Sequence, residues 1–248
     1  MVARARIRGA HTTRRTLLAF YRRLRQAHGH AGWWPGATPF EVCLGAILTQ
    51  NTAWSNVEKA LAELERRGLL SFEPLAALSA EQIAPLIRSA GYFNVKARRL
   101  KAFLDFLGRE YGGRVEPMRA AEPAALRRQL LAVNGIGRET ADSIALYAAD
   151  KPLFVVDAYT RRIASRLGWI RGDEDYDEIQ GWFTARLPRD VELYNDYHAQ
   201  IVLLGKSVCR PRPRCAVCLL LRVCPRRGVR ADGRVPGRAR LDRAKRPA

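Results

Sequence analysis

The sequence predicts an all-α protein. Apolar residues recur at intervals of three and four through almost the whole of residues 12–208, the spacing of a half-buried helix. No run of alternating β-branched residues matches a strand. The only short strand-like piece is Leu153–Val156, which is expected to be a buried connector.

Each helix has its own signal. Thr12–His28 carries Leu17, Leu18, Tyr21 and Leu24 on one face. Phe40–Asn51 is apolar at Val42, Cys43, Ala46 and Ile47. Ser55–Arg67 repeats Val57, Ala60, Leu61 and Leu64, with Ser55 as the expected N-cap. Ser79 with Gln82 forms a capping-box pattern that opens the next helix. Asn94–Tyr111 follows through Ala97, Leu100, Leu104 and Leu107. Pro123–Val133, Arg138–Ala148, Ala158–Leu167, Tyr176–Leu187 and Val191–Val208 complete the series.

The 248 residues suffice for one large domain or two small ones. Lys and Arg total 43 against 24 Asp and Glu, a net charge of +19. Such an excess argues against a small-metabolite enzyme with an ordinary surface and for a polyanionic partner, nucleic acid first. The charge is uneven. Residues 1–29 carry +8 and residues 225–248 carry +7, leaving +4 for the middle. Residues 226–248, rich in Gly, Pro and Arg, are expected to form a disordered basic tail. No stretch approaches the roughly 18 apolar residues of a membrane span, and no secretion signal opens the chain. The expected setting is cytoplasmic and nucleoid-associated.

Two stretches carry chemistry. In the first, Asn134-Gly135-Ile136-Gly137 joins two helices by a tight turn. The glycines permit positive φ and close approach of another backbone. Their amides, with the start of the helix at Arg138, suit a phosphate. The second is Cys209-x5-Cys215-x2-Cys218-x5-Cys224, four thiols within sixteen residues. In a chain this large such clustering points to a metal site rather than a disulfide scaffold. Zinc binds four thiolates, but paired zinc ribbons usually show two C-x2-C knuckles and this chain has one. One compact loop suits a [4Fe–4S] cube. Arg210, Arg212 and Arg214 inside the loop are candidate phosphate contacts. Cys43 fits a buried core thiol.

The stretch Leu130–Ala141 resembles the helix-hairpin-helix of the endonuclease III superfamily of DNA glycosylases. Phe154-Val155-Val156-Asp157-Ala158-Tyr159 resembles the segment that carries that family's essential aspartate, and the cysteine loop resembles its C-terminal iron–sulfur loop, with one residue fewer in the first gap. The resemblance covers about residues 30–225 and implies two helical lobes with a DNA cleft between them. Residues 31–151 would form a helical barrel ending in the hairpin. Residues 1–30 and 152–225 would form the second lobe, capped by a [4Fe–4S] cluster on Cys209, Cys215, Cys218 and Cys224. The partner would be double-stranded DNA containing a damaged base, bound by a monomer without a membrane.

Asp157 matches the family's aspartate, which supports departure of the base. A carboxylate near the anomeric carbon stabilises the oxocarbenium character that develops there. The same aspartate also stands where a helix N-cap belongs. Gly135, Ile136, Gly137, Arg138 and Thr140 match the phosphate-binding hairpin. Gln50 in Thr49-Gln50-Asn51-Thr52 matches the residue that fills the gap left by a flipped nucleotide. Bifunctional members carry a lysine where this chain has Glu139, and a carboxylate forms no Schiff base. A monofunctional enzyme is therefore expected. Trp33-Trp34-Pro35, Thr49–Thr52, Gly91–Asn94 and Gly135–Glu139 look most like the bacterial 3-methyladenine glycosylase branch, whose well-known example lacks the cluster. Trp33 and Trp34 would then stack on an alkylated purine, whose positive charge favours electron-rich rings. Two rivals stay open: a bifunctional enzyme for oxidised pyrimidines, and a catalytically weak DNA-structure binder.

Overall fold

The computed structural model describes residues 12–229; residues 1–11 and 230–248, with most of the expected basic tail, lie outside them. The described residues form eleven α-helices and no strand. These are α1 Arg14–His28, α2 Pro39–Leu48, α3 Trp54–Arg66, α4 Phe72–Ala76, α5 Ala80–Leu86, α6 Phe93–Tyr111, α7 Pro123–Leu131, α8 Arg138–Tyr147, α9 Ala158–Arg166, α10 Tyr176–Thr184 and α11 Val191–Ser207.

Local chemistry starts most of them. Thr13, Thr38, Asp157 and Asp190 each accept a first-turn N–H through the side chain. The expected capping box at Ser79 and Gln82 is present in both directions. α3 departs from expectation. It begins at Trp54, one residue before the proposed Ser55 cap, and Ala53 caps it with no side-chain bond. Packing sets this start, because the Trp54 ring meets Trp34 edge-on at 5.3 Å. α2 stops at Leu48 rather than Asn51, and Asn51 adopts a left-handed φ of 56° that ends any helical run. α10 stops at Thr184, whose hydroxyl bonds back to Gln180 O at 3.0 Å.

Two cores result. The first gathers apolar faces of α2 to α8, from Val42 to Ala149, and includes the fully buried Cys43. The second joins α1 to α9, α10 and α11 around stacked Phe154 and Phe183, 4.3 Å apart. Of the expected connector Leu153–Val156, Phe154–Val156 are buried within the second core, whereas Leu153 is half-buried against the first. α8 belongs to both: Ala141, Ile144 and Ala145 face the first core, whereas Leu146 faces the second.

Buried polar links fix the connectors within each core. Buried Asp196 on α11 accepts from Tyr21 at 2.7 Å and from the Ala31 N–H at 2.9 Å, and Gln200 donates to Gly29 O at 2.8 Å. These bonds fix the connector leading to Trp33. Buried Lys96 donates to Leu48 O and Ala90 O, each at 2.7 Å, holding the end of α2.

Candidate active site

A cleft of about 1290 Å³ is lined from both sides, by α2, α3 and the start of α8 on one and by α9 and α11 on the other. Trp33, Trp34, Gln50, Glu139 and Asp157, five of the residues proposed from sequence, line it together. Trp54 adds a third indole, packed against Trp34, whose other side meets Tyr147 at 5.1 Å. All three indole N–H groups are buried without a partner in the protein.

Asp157 sits at the first turn of α9 with its side chain nine-tenths buried. Its Oδ1 accepts the Thr160 N–H at 2.6 Å, and its Oδ2 lies 3.4 Å from His198 Nε2. Burial pushes the carboxyl upward, but the charge of His198, with the Thr160 bonds, outweighs it and leaves Asp157 below its ordinary value. Glu139, in the first turn of α8, goes the other way. It is open to solvent through the cleft mouth, yet the cleft walls crowd it. That desolvation, then the charge of Asp157, push it up to about 7 against the opposing pull of His198. Two carboxyls in one cleft are thus driven apart, one ionised and one ready to hold its proton near neutrality.

The hairpin between α7 and α8 has two unlike glycines. Gly135 has φ +84°, and a Cβ there would meet the Arg99 side chain at 2.3 Å. Gly137, also expected to need positive φ, is instead extended at φ −88° as the N-cap of α8, and a Cβ there would meet nothing within 4 Å. Ile136 buries its side chain in the first core, so any contact it offers comes through its backbone. Thr140 is buried too. Gln50 Nε2 donates to Gly135 O at 3.1 Å and to Thr140 Oγ1 at 2.9 Å, and Arg99 donates to Gln50 Oε1. Arg138 pairs with Asp175 at 2.5 Å and Asp177 at 3.2 Å, crossing to α10.

Sequence reasoning passed over Trp54, Tyr147, His198 and Lys206. A usable signal existed for two of them. His198, Val202 and Lys206 recur every four residues on α11 and all line the cleft. Lys206 holds its amine 5.5 Å from the Trp33 ring centre. Among the described residues it is the one lysine lining the cleft, since Lys96 and Lys151 are buried and bonded to carbonyls elsewhere.

The four loop cysteines line a second, separate cavity beside Arg166. Arg166 donates to Cys209 Sγ at 3.3 Å, and the Arg226 N–H donates to Cys224 Sγ at 3.4 Å. Donors aimed at sulfur suit thiolate ligands. Among the described residues no three His, Cys, Asp or Glu are arranged to hold a single metal ion. Arg210, Arg212 and Arg214 are exposed on this loop and do not line the cleft. No helix among the described residues is long and apolar enough to cross a membrane.

Residues 44–189 match the model of the HhH-GPD superfamily base excision DNA repair proteins. The chain belongs to this family. Its relatives agree. A protein assigned as a DNA repair glycosylase in Methanocaldococcus jannaschii is 45% identical over 82% of this chain and 93% of its own length. Endonuclease III of Thermotoga maritima is 32% identical over 81% of this chain and 89% of its own. Among solved structures, the H. pylori 3-methyladenine DNA glycosylase bound to 1,N6-ethenoadenine is similar at a TM-score of 0.68 and 28% identity, covering 77% of this chain and 97% of that one. This HhH-GPD protein is therefore a DNA glycosylase of base excision repair.

Proposed function

We propose that this glycosylase is monofunctional and excises alkylated purines of the 3-methyladenine type. The observation that carries the reading is Glu139, a carboxyl facing Asp157 where bifunctional relatives present an amine. With no amine there to attack the sugar, water is the nucleophile. The damaged nucleotide swings into the tryptophan-lined cleft while Gln50 fills the gap in the duplex. The C1′–N bond breaks and its electron pair leaves with the base, so a cationic alkylated purine departs neutral. Ionised Asp157 stabilises the positive sugar, and water adds at C1′ as its proton passes to Asp157. An intact strand with an abasic site remains.

Three indoles and the partner chemistry of the H. pylori relative, an adenine bearing an etheno bridge, support the choice of a flat, electron-poor purine. The α7–α8 hairpin holds a phosphate through the Gly135 to Arg138 backbone, and Arg210, Arg212 and Arg214 add further contacts to double-stranded DNA bound by a monomer. Cys209, Cys215, Cys218 and Cys224 fit a [4Fe–4S] cluster, which would brace their loop and enters no chemical step. Of the described residues, 31–151 act as one lobe and 12–30 with 152–225 as the other.

Duplexes carrying single alkylated or oxidised bases test this. The expected result is base release from alkylated purines, strand breaks only after alkali, and no adduct under borohydride. A robust borohydride adduct would overturn monofunctionality. Release of oxidised pyrimidines alone would overturn the lesion class, and release from no duplex would favour a DNA-structure binder. Purified protein should be brown with broad visible absorption, and colourless protein with stoichiometric zinc would refute the cluster.

A further inference from the structure

A histidine behind the proposed catalytic carboxylate has no role in the chemistry above. His198 lies on α11, buried to 4% exposure, at the back of the cleft. One ring nitrogen, Nδ1, lies 2.5 Å from the Tyr147 hydroxyl. The other, Nε2, lies 3.4 Å from Asp157 Oδ2, outside hydrogen-bond geometry, and has no other partner in the protein. Tyr147 in turn has its ring against Trp34. Three helices thus contribute a line of groups from the tryptophan wall to the carboxylate: Tyr147 from α8, His198 from α11, Asp157 from α9.

The direction of the proton follows from the partners. A neutral imidazole offers one donor and one acceptor. The Tyr147 phenol is part-buried, and burial, then the charge of Asp157, hold it protonated well above its ordinary range. Ionised Asp157 beside Nε2 can only accept, so in the neutral ring Nε2 carries the proton and Nδ1 accepts from the Tyr147 hydroxyl. The ring proton is then on Nε2, on the side of Asp157 Oδ2. Oδ1 already accepts from the Thr160 N–H. A small turn of the imidazole would bring the Nε2–H onto Oδ2 and give each carboxylate oxygen a donor.

We propose that His198 is a positioning residue for Asp157, locked by Tyr147 in the Nε2-protonated tautomer, so that its N–H fixes the rotation of the carboxylate and keeps it ionised. The inference rests on the reading of Asp157 as the group that stabilises the sugar cation. The other charged or titratable groups facing Asp157 are Glu139 and Tyr147 of α8 and Arg162 of α9 itself. Glu139 works against its ionised form. His198, with its N–H toward Oδ2, opposes burial and favours the ionised carboxylate.

Two measurements on the full chain test this, one without any turnover. In ¹⁵N-histidine-labelled protein, His198 should show the Nε2-protonated tautomer. Its Nε2 signal should move in Asp157→Asn, and the tautomer preference should weaken in Tyr147→Phe. A dominant Nδ1-protonated form, or an Nε2 signal indifferent to Asp157, overturns the proposal. In single-turnover excision, His198→Ala should lose about 10- to 100-fold in rate with DNA affinity held within about twofold. The acid limb of its rate profile should move to higher pH, because Asp157 loses the group that keeps it ionised. His198→Gln, which keeps an N–H donor, should recover part of both. An unmoved acid limb, or Gln as impaired as Ala, overturns it. Should His198→Ala fail to fold, Tyr147→Phe, of nearly the same volume, carries the same expectation at smaller size. Wild-type protein that releases no base would sink the functional reading while the tautomer measurement still decides this one.

Discussion

The amide of Gln50 donates to the hydroxyl of Thr140 at 2.9 Å, tying the end of α2 to the first turn of α8. The residue proposed to enter the duplex is therefore already bonded in the free protein, to Gly135 O as well as to Thr140. Acting as a wedge requires exchanging those partners. Gln50→Ala should cost about 1–2 kcal/mol of stability from the lost bonds and slow excision at limiting enzyme. Thr140→Val cuts one tether but keeps the amide. It should also lower stability yet hold excision within about threefold of wild type. Thermal melts and single-turnover rates check both. Equal loss of excision in the two variants would mean that Gln50 serves the hairpin and not the duplex.

The two hairpin glycines should separate folding from binding. Gly135→Ala places a Cβ at positive φ and against Arg99, and should destabilise by about 1–2 kcal/mol. Gly137→Ala meets no protein atom within 4 Å, so stability should stay within about 1 kcal/mol. If a phosphate approaches this backbone closely, Gly137→Ala should nevertheless weaken DNA binding several-fold. Chemical denaturation and a binding isotherm at fixed salt read the two effects independently.

Glu139 should make stability fall with pH. Its carboxyl titrates at about 7 in the fold against 4.5 in the free residue, so the folded state holds this proton more tightly than the unfolded chain. Below pH 4.5 both states are protonated and there is no cost. As pH rises through the folded value of about 7, the cost becomes complete. Glu139→Gln removes it. The melting temperature of Glu139→Gln should exceed that of wild type above neutrality and converge with it in acid. A gap independent of pH would show that Glu139 is not perturbed.

Glu139→Lys should create a strand-cleaving activity. It places an amine beside Asp157 in a crowded cleft, where desolvation lowers an amine's pKa and frees its lone pair to attack the sugar. Borohydride should then trap a protein–DNA adduct that wild type never forms. Continued absence of an adduct, with base release intact, would mean that the position does not reach C1′.

Asp157→Asn isolates chemistry from architecture. Asn caps helices about as well as Asp, so α9 should persist and the melting temperature should change by only a few degrees. Excision should fall by about 10²–10³-fold, the order expected when a placed charge at a developing cation is lost. Affinity for lesion-bearing duplex should remain. A rate within tenfold of wild type would assign the chemistry elsewhere.

Most helices were legible because their apolar faces repeat, and two caps because Ser79 and Asp157 act on amides only three residues away. The hairpin, the aspartate and the cysteine loop were legible as local strings. What escaped was assembled by tertiary packing. Trp54 fell just outside the helix expected from Ser55, and only its contact with Trp34 makes it a wall of the cleft. His198 reaches Asp157 across 41 positions of sequence, a distance at which spacing carries no information. Arg138 looked like a free cation at a helix start, but it is held by Asp175 and Asp177 from another helix.

α11 carries His198 and Lys206 and ends at Ser207, two residues before the first loop cysteine, Cys209. Arg162 on α9 bonds the carbonyls of Gly205 and Cys209, clamping that end. The cysteine loop and the cleft are therefore two ends of a single lever. Through those two carbonyls the fold of the cysteine loop sets where α11 ends, and with it where Lys206 stands beside Trp33.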